Sequence, residues 1–169
     1  DVLLIADEVV TGFGRTGKWF AMEHFGVEAD LMTTAKGMSG CYIPLGGVMV
    51  SDKINEPFEA GNAYFVHGFT NGGHPTACAA GLKAIDIYRE DNLIQNSKKM
   101  GDHLFTYKEK LLAHPSVADA RGWGLCMTLE LVENKESGEY FPSSKGAEST
   151  FHSLALKNGL VFYSTLYGQ

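Results

Sequence analysis

Two side chains in this 169-residue chain stand where a short apolar run gives way to charge. Asp7 follows Val2-Leu3-Leu4-Ile5-Ala6, and Lys36 lies in Thr33-Thr34-Ala35-Lys36-Gly37, just after the apolar pair Leu31-Met32. An amine can hold an aldehyde as a Schiff base, and a carboxylate can keep a heterocyclic nitrogen protonated so that the ring accepts electrons. Pyridoxal phosphate is a cofactor that needs both groups. An isolated lysine is nearly always a solvated charge, so what singles out Lys36 is its setting. Its neighbours Ala35 and Gly37 are small, and the turn that follows, with Gly37, Gly40 and Pro44, leaves room for a flat ligand. Burial there would desolvate the ammonium and favour the neutral amine that Schiff-base chemistry uses. For Asp7 the plainer alternatives are a helix cap or a partner for a lysine.

The elements that must position these groups follow from periodicity. Val2 to Ala6 is predicted as a strand covered on both faces in a parallel sheet, and ligands of open α/β sheets gather at the carboxyl ends of the strands, where Asp7 falls. Val9, one pleat beyond Asp7, is expected on the same side, against the face of a bound ring, with Glu8 pointing away in a structural role. Leu31 to Thr34 reads as a second strand, Val48-Met49-Val50 as a third, and Ser51 as a helix cap. Trp19 to Phe25 reads as a short packed helix closed by Gly26.

Residues 61–74 mix glycine, aromatic residues and asparagine too irregularly for one element and are expected to be a functional loop. Pro75 opens a helix that runs through Tyr88 to an interruption at Asp91-Asn92, and a second helix is predicted from about Leu93 to near His114. Beyond Pro115 the pattern becomes strand (Val117 to Arg121), turn (Gly122 to Gly124) and strand (Leu125 to Val132), an antiparallel hairpin. A loop over 133–144, a helix over 146–158 closed by Gly159, and a last strand, Leu160 to Tyr163, complete the chain. These elements divide it near residue 92, with 1–92 as an α/β part and 93–169 as a linking helix and part of a smaller α+β domain.

Composition narrows the function. The formal charge of −6 comes without a basic stripe, which excludes a phosphate-backbone binder, so no nucleic acid partner is expected. No run is long enough to cross a bilayer and the N-terminus lacks the layout of a secretory signal, so a soluble, cytoplasmic protein with no membrane partner is expected. Cys41, Cys78 and Cys126 are dispersed and odd in number, and His24, His103, His114 and His152 are scattered. Reduced, packed thiols, structural histidines and no metal site are expected. Gly12-Phe13-Gly14-Arg15-Thr16-Gly17 matches the dinucleotide-binding pattern letter for letter. However, Asp7 to Thr11 intervene between strand and glycines, and a carboxylate pair would crowd a pyrophosphate, so a glycine-rich surface turn is the preferred reading. A first residue other than Met, with strand-like runs close to both ends, reads as an internal piece of a longer protein.

Leu4-Ile5-Ala6-Asp7-Glu8-Val9-Val10-Thr11 with the glycine turn through Gly17, Thr33-Thr34-Ala35-Lys36-Gly37, and His67-Gly68-Phe69-Thr70-Asn71-Gly72-Gly73-His74-Pro75 together resemble the class III pyridoxal-phosphate aminotransferases. The likeness continues through Ala120 to Leu125 and over 159–168, so it covers essentially the whole chain. The resemblance implies an α/β fold: part of the large domain of a fold-type I pyridoxal-phosphate transferase, a mainly parallel sheet with helices, followed by part of a small α+β C-terminal domain. It implies Lys36 as the catalytic lysine that holds the cofactor as the internal aldimine and carries protons, and Asp7 as the partner of the pyridine nitrogen. It also implies Val9 packed on the ring and Thr70 reaching across a dimer interface to the cofactor phosphate of the partner subunit.

The function so implied is transfer of an amino group from a primary amine or ω-amino acid to a keto acid such as pyruvate, in a homodimer with a shared active site. The family's phosphate-cup residues and a stacking aromatic would lie upstream of Asp1, so the chain alone is expected to lack a closed pocket. Two other readings stay open: a non-catalytic fragment or interaction domain on the same fold, and a nicotinamide dinucleotide-binding oxidoreductase.

Overall fold

The computed structural model describes residues 2–61 and 63–163. Its first sheet has the order β1 (Ile5–Asp7), β2 (Leu31–Thr34), β3 (Gly47–Val50). β1 and β2 are parallel, with Ile5, Ala6 and Asp7 opposite Leu31, Met32 and Thr33. β3 returns antiparallel to β2, because the intervening segment holds only a short 3-10 helix, Lys36–Ser39, too little for a crossover to a parallel strand. The sheet is therefore mixed, with an antiparallel edge of the kind α/β folds carry.

The apolar run before Asp7 is covered on one side only. Ala6 is buried, whereas Ile5 is 61% exposed and Val2, Leu3 and Leu4 precede the strand and lie open. The expectation of a strand buried on both faces is corrected for this chain, since among the described residues nothing packs over that second face.

Helix α1 (Asp52–Glu59) begins after Ser51, whose carbonyl accepts the Ile54 and Asn55 N–H groups. The cap is main-chain only, because the buried Ser51 hydroxyl makes no hydrogen bond among the described residues. Helix α2 (Pro75–Glu90) has Pro75 in its first turn, as expected. Ala77 and Gly81 are buried, and a Cβ on Gly81 would stand 2.7 Å from Leu45 Cδ2 and 3.3 Å from the Met38 carbonyl, so small residues bring α2 down onto the turn that carries Lys36. Asn92, left-handed at φ 52°, separates α2 from α3 (Leu93–Phe105).

The single helix predicted from Leu93 to His114 is two. α3 stops before Thr106, whose hydroxyl donates to the His103 carbonyl at 2.7 Å and competes with the helical ladder, and the five-residue α4 (Lys108–Leu112) follows. The helix predicted over 19–25 is a tighter 3-10 turn, Ala21–His24, with Gly26 at φ 62°. The glycine turn at 12–17 is not a surface turn. Gly12, Phe13, Gly14 and Thr16 are buried, and the Phe13 ring meets Phe20 at 5.5 Å and Tyr88 at 6.2 Å between centroids.

Residues up to Thr106, together with Gly122–Met127, form one compact unit; Tyr107–Arg121 and the residues from Thr128 onward form another. In the first unit Ala6, Phe13, Ala77 and Ile94 are buried, and His24 stacks on Trp123 with rings 4.7 Å apart while its Nε2 lies 3.1 Å from Thr16 Oγ1. In the second, Val117, Ala120 and Val132 are buried. Strands β4 (Val117–Trp123) and β5 (Cys126–Leu131) form a two-stranded sheet joined by two residues, a hairpin as the sequence predicts.

Arg121 Nη1 donates to Asp119 Oδ2 at 2.6 Å and Glu130 Oε2 at 2.9 Å, and the Tyr140 hydroxyl donates to Glu130 Oε1 at 2.6 Å. Arg121 thereby holds the Asp119 carboxyl below its ordinary range, and Tyr140, ahead of Arg121, does the same for Glu130. Helix α5 (Ala147–Lys157) ends near Gly159, at φ 81°. The strand expected at Leu160 to Tyr163 is absent from these described residues; Phe162 instead packs its ring on Phe151 and His152, at 4.9 and 4.3 Å. The end of the 159–168 likeness lies outside the described residues. All three cysteines are free, but Cys41 and Cys78 are exposed rather than packed.

Candidate active site

The carboxyl edge of the parallel pair gathers the polar groups. β1 ends at Asp7 because the next residue turns inward: the Glu8 N–H makes the last bond to β2, to the Thr33 carbonyl at 2.9 Å, and the Glu8 side chain is only 2% exposed. Its Oε1 accepts the Met22 N–H at 2.8 Å and its Oε2 accepts the Thr11 hydroxyl, while its carbonyl accepts the Gly12 N–H at 3.0 Å. A buried carboxylate fully supplied with donors is tolerable, and here it folds residues 8–12 into a turn.

Val9 lies in that turn. It is not one pleat further along a strand, and the expectation of Val9 and Asp7 on one strand face is corrected accordingly. It meets Asp7 through the main chain, the Val9 N–H donating to Asp7 Oδ1 at 3.1 Å. Thr33 Oγ1 donates to the same oxygen at 3.1 Å. Asp7 is exposed, and among the described residues Oδ2 accepts no hydrogen bond. The carboxylate thus has one oxygen engaged and one open.

Lys36 opens the 3-10 turn that follows β2, three residues beyond the partner of Asp7. Its backbone is left-handed at φ 43°, uncommon for a side chain with a Cβ, and the surroundings hold it there. The Lys36 carbonyl accepts the Cys41 N–H at 3.0 Å, and the Gly37 carbonyl accepts the Tyr88 hydroxyl at 2.6 Å. A Cβ on Gly37 would approach Phe13 Cβ to 2.8 Å, so the turn rests directly on the buried glycine loop. Burial holds the Tyr88 hydroxyl above its ordinary value, reinforced by Cys41 and opposed by Arg15.

The Lys36 side chain is exposed and makes no hydrogen bond or ion pair among the described residues. The desolvated setting expected for it is therefore not supplied by this chain alone. What the chain does supply fits the cofactor: an oriented carboxylate with an open oxygen suits a ring N–H, and a free amine at the same sheet edge suits an aldehyde.

Thr70 sits in an exposed turn of the 63–74 loop, and no described contact joins it to Asp7 or Lys36. In that loop the rings of Phe65, His67 and Phe69 follow one another edge to face at 5.7 and 5.0 Å. Sequence reasoning missed Thr33 and Tyr88. Thr33 was within reach, since a parallel pair sets some residue of β2 opposite Asp7; Tyr88, fifty-one residues from its acceptor, left no signal. The glycine turn offers no open cradle for a dinucleotide, because a Cβ on Gly14 would lie 2.4 Å from Ile94 Cδ1 and one on Gly17 would lie 3.0 Å from Lys98 Cα. Among the described residues no acidic, histidine or cysteine cluster could hold a metal, and no helix is long and apolar enough to cross a membrane.

A lysine and a carboxylate at the carboxyl edge of a mixed sheet are the arrangement of an α/β domain that binds its ligand at the strand ends. The chain belongs to the class-III aminotransferase family, whose pattern matches residues 1–166. It is 44% identical over 162 residues to the putrescine–pyruvate aminotransferase of Pseudomonas aeruginosa, covering 95% of this chain and 35% of that one. Among solved structures it matches an (S)-enantioselective omega-transaminase from Thermomicrobium roseum, with TM-score 0.89, 41% identity, and 97% of this chain against 37% of that one. It also matches the taurine:2-oxoglutarate aminotransferase of Bifidobacterium kashiwanohense, in complex with PLP and glutamate, with TM-score 0.87 and 37% identity over 96% of this chain and 37% of that one. The chain thus spans about a third of the length of the curated relatives it matches.

Proposed function

We propose that the full-length protein is a pyridoxal-phosphate aminotransferase that moves an amino group from a primary amine or ω-amino acid to a keto acid such as pyruvate. The observation that carries this reading is the pair at one sheet edge: Asp7 with Oδ1 engaged and Oδ2 open, and the unpaired amine of Lys36. Family membership and the names of the relatives support it. Pyridoxal phosphate, when bound, supplies an aldehyde for amines and a ring that accepts electrons. Lys36 Nζ is the covalent anchor and, once free, the base and acid that carries a proton to and from the substrate carbon. Asp7 Oδ2 keeps the proton on the ring nitrogen. Val9, whose N–H donates to Asp7 Oδ1, borders the ring in the same reading.

The remaining parts of the reading are proposals on the same footing. Thr70 serves the phosphate held by the partner subunit of a homodimer, the enzyme is cytoplasmic, and its domains divide as 1–92 and 93–169. The decisive experiment treats the full-length protein with pyridoxal phosphate, reduces it with borohydride and maps the added mass. Label concentrated on Lys36, with transamination abolished in Lys36→Ala, is expected. Label spread over surface lysines, or appreciable turnover by the variant, would refute the reading. Assaying putrescine, γ-aminobutyrate and taurine as donors with pyruvate and 2-oxoglutarate as acceptors then assigns the substrates.

A further inference from the structure

Thr33 grips the end of β1 twice. Its carbonyl accepts the Glu8 N–H at 2.9 Å and its hydroxyl donates to Asp7 Oδ1 at 3.1 Å. We propose that Thr33 is a positioning residue, whose hydroxyl turns the Asp7 carboxylate so that Oδ2 faces the ring nitrogen of the bound cofactor. This rests on the role given to Asp7 above.

The two donors to Oδ1 are mounted differently. An aspartate turns about two torsions, and the Val9 N–H that also reaches Oδ1 comes from the same turn, only two residues away, so it moves with the carboxylate it holds. Thr33 comes from the neighbouring strand. It stands directly opposite Asp7 in the parallel pair and opposite Val48 in the antiparallel one, so it occupies the central strand, bonded on both sides. Register partners in a sheet project to the same face, which is why this hydroxyl meets this carboxylate. Threonine is stiff at χ1, so the donor itself has little freedom. With Oδ1 fixed from the sheet, the open oxygen has a defined direction, and functional groups must be held to about 0.5 Å to be useful.

The test uses the full-length protein loaded with pyridoxal phosphate, comparing Thr33→Val, which keeps the shape and removes the donor, with Thr33→Ser, which keeps the donor. The readouts are cofactor affinity by titration and the induced circular dichroism of the bound cofactor, which follows ring orientation. Thr33→Val is expected to weaken affinity about tenfold, the scale of a hydrogen bond to a charged group, and to diminish the dichroism. Thr33→Ser should restore both, to within about twofold, because it returns the same donor. In an Asp7→Ala background the Val substitution should have no further effect, which a merely structural role would not produce.

If Thr33→Val lowers the melting temperature of the cofactor-free protein, Thr33→Ala removes the same donor and is read in the same way. Unchanged affinity and dichroism in the donor-less variant, or an effect that persists without Asp7, overturns the proposal. Borohydride labelling of Lys36 in the wild type separates this from failure of the functional reading: label present with a silent Thr33→Val rejects only the role of Thr33.

Discussion

At the scale of single residues, the site depends on which oxygen of Asp7 is already taken. Two donors converge on Oδ1 and none on Oδ2 among the described residues, so replacing one oxygen by an amide has a directional consequence. Asp7→Asn can still accept at its carbonyl oxygen from Val9 and Thr33, which turns its amide toward the ring nitrogen, a donor facing a donor. Cofactor should remain attached through Lys36 while turnover falls about a hundredfold, the size of losing one preorganised electrostatic partner. Stopped-flow single turnovers on the full-length protein check this, and an unchanged rate would remove Asp7 from the mechanism. The placement of Asp7 at the end of β1 and of Lys36 just after β2 was legible in the sequence because an apolar run precedes each, and ligands of α/β sheets gather at such strand ends. Val9 was misplaced because its position depends on where β1 stops, which the burial of Glu8 decides; an Asp-Glu pair does not announce which carboxylate goes inside.

At the scale of elements, small residues set how closely the pieces approach the site. Gly101 lies buried in α3 against the tip of the β4–β5 hairpin, and a Cβ there would stand 2.3 Å from Gly124 Cα and 2.5 Å from its carbonyl atoms. Gly124 is left-handed at φ 55°, and a Cβ on it would reach the Thr16 carbonyl carbon at 2.4 Å, so three backbones meet with no side chain between them. Two effects oppose each other in Gly101→Ala. Alanine in a helix interior gains about 1 kcal/mol over glycine, whereas forcing a methyl into a packed site costs about 1–3 kcal/mol. The obstacle here is main chain, which cannot step aside, so the cost falls at the top of that range, about 3 kcal/mol, and a net loss of about 2 kcal/mol is expected. Urea unfolding of the full-length protein should show a lower midpoint with unchanged slope; a raised midpoint would contradict the packing. Element boundaries were legible where chemistry marks them, at Pro75, Asn92 and Gly159. They were not at Thr106, where a hydroxyl competes with the helical ladder, nor at Leu160 to Tyr163, where an apolar run makes ring contacts in place of strand pairing.

At the scale of the whole molecule, the chain leaves large apolar groups open on two features. Ile5, Val48, Met49 and Val50 lie exposed on the sheet, and Tyr64, Phe65, Val66 and Phe69 lie exposed on the loop that carries Thr70. Exposed apolar patches mark places where protein, membrane or ligand binds. The proposed homodimer assigns the loop to the partner's site, so Lys36 and Thr70 of one chain would serve different active sites. That separation makes a sharp prediction. Lys36→Ala subunits lack the amine but keep the threonine, and Thr70→Ala subunits lack the threonine but keep the amine. In a mixed dimer one site receives both defects and the other receives neither. Equal mixing with free exchange places half of the chains' pairs in mixed dimers, so about a quarter of all sites should be intact, well above the mean of the two separate preparations. If Thr70 serves the site of its own chain, every amine-bearing site still lacks its threonine and mixing yields only that mean. Activity measured after unfolding and refolding the two variants together decides between the arrangements, with native mass spectrometry of the mixture, one variant carrying a mass tag, showing that mixed dimers have formed.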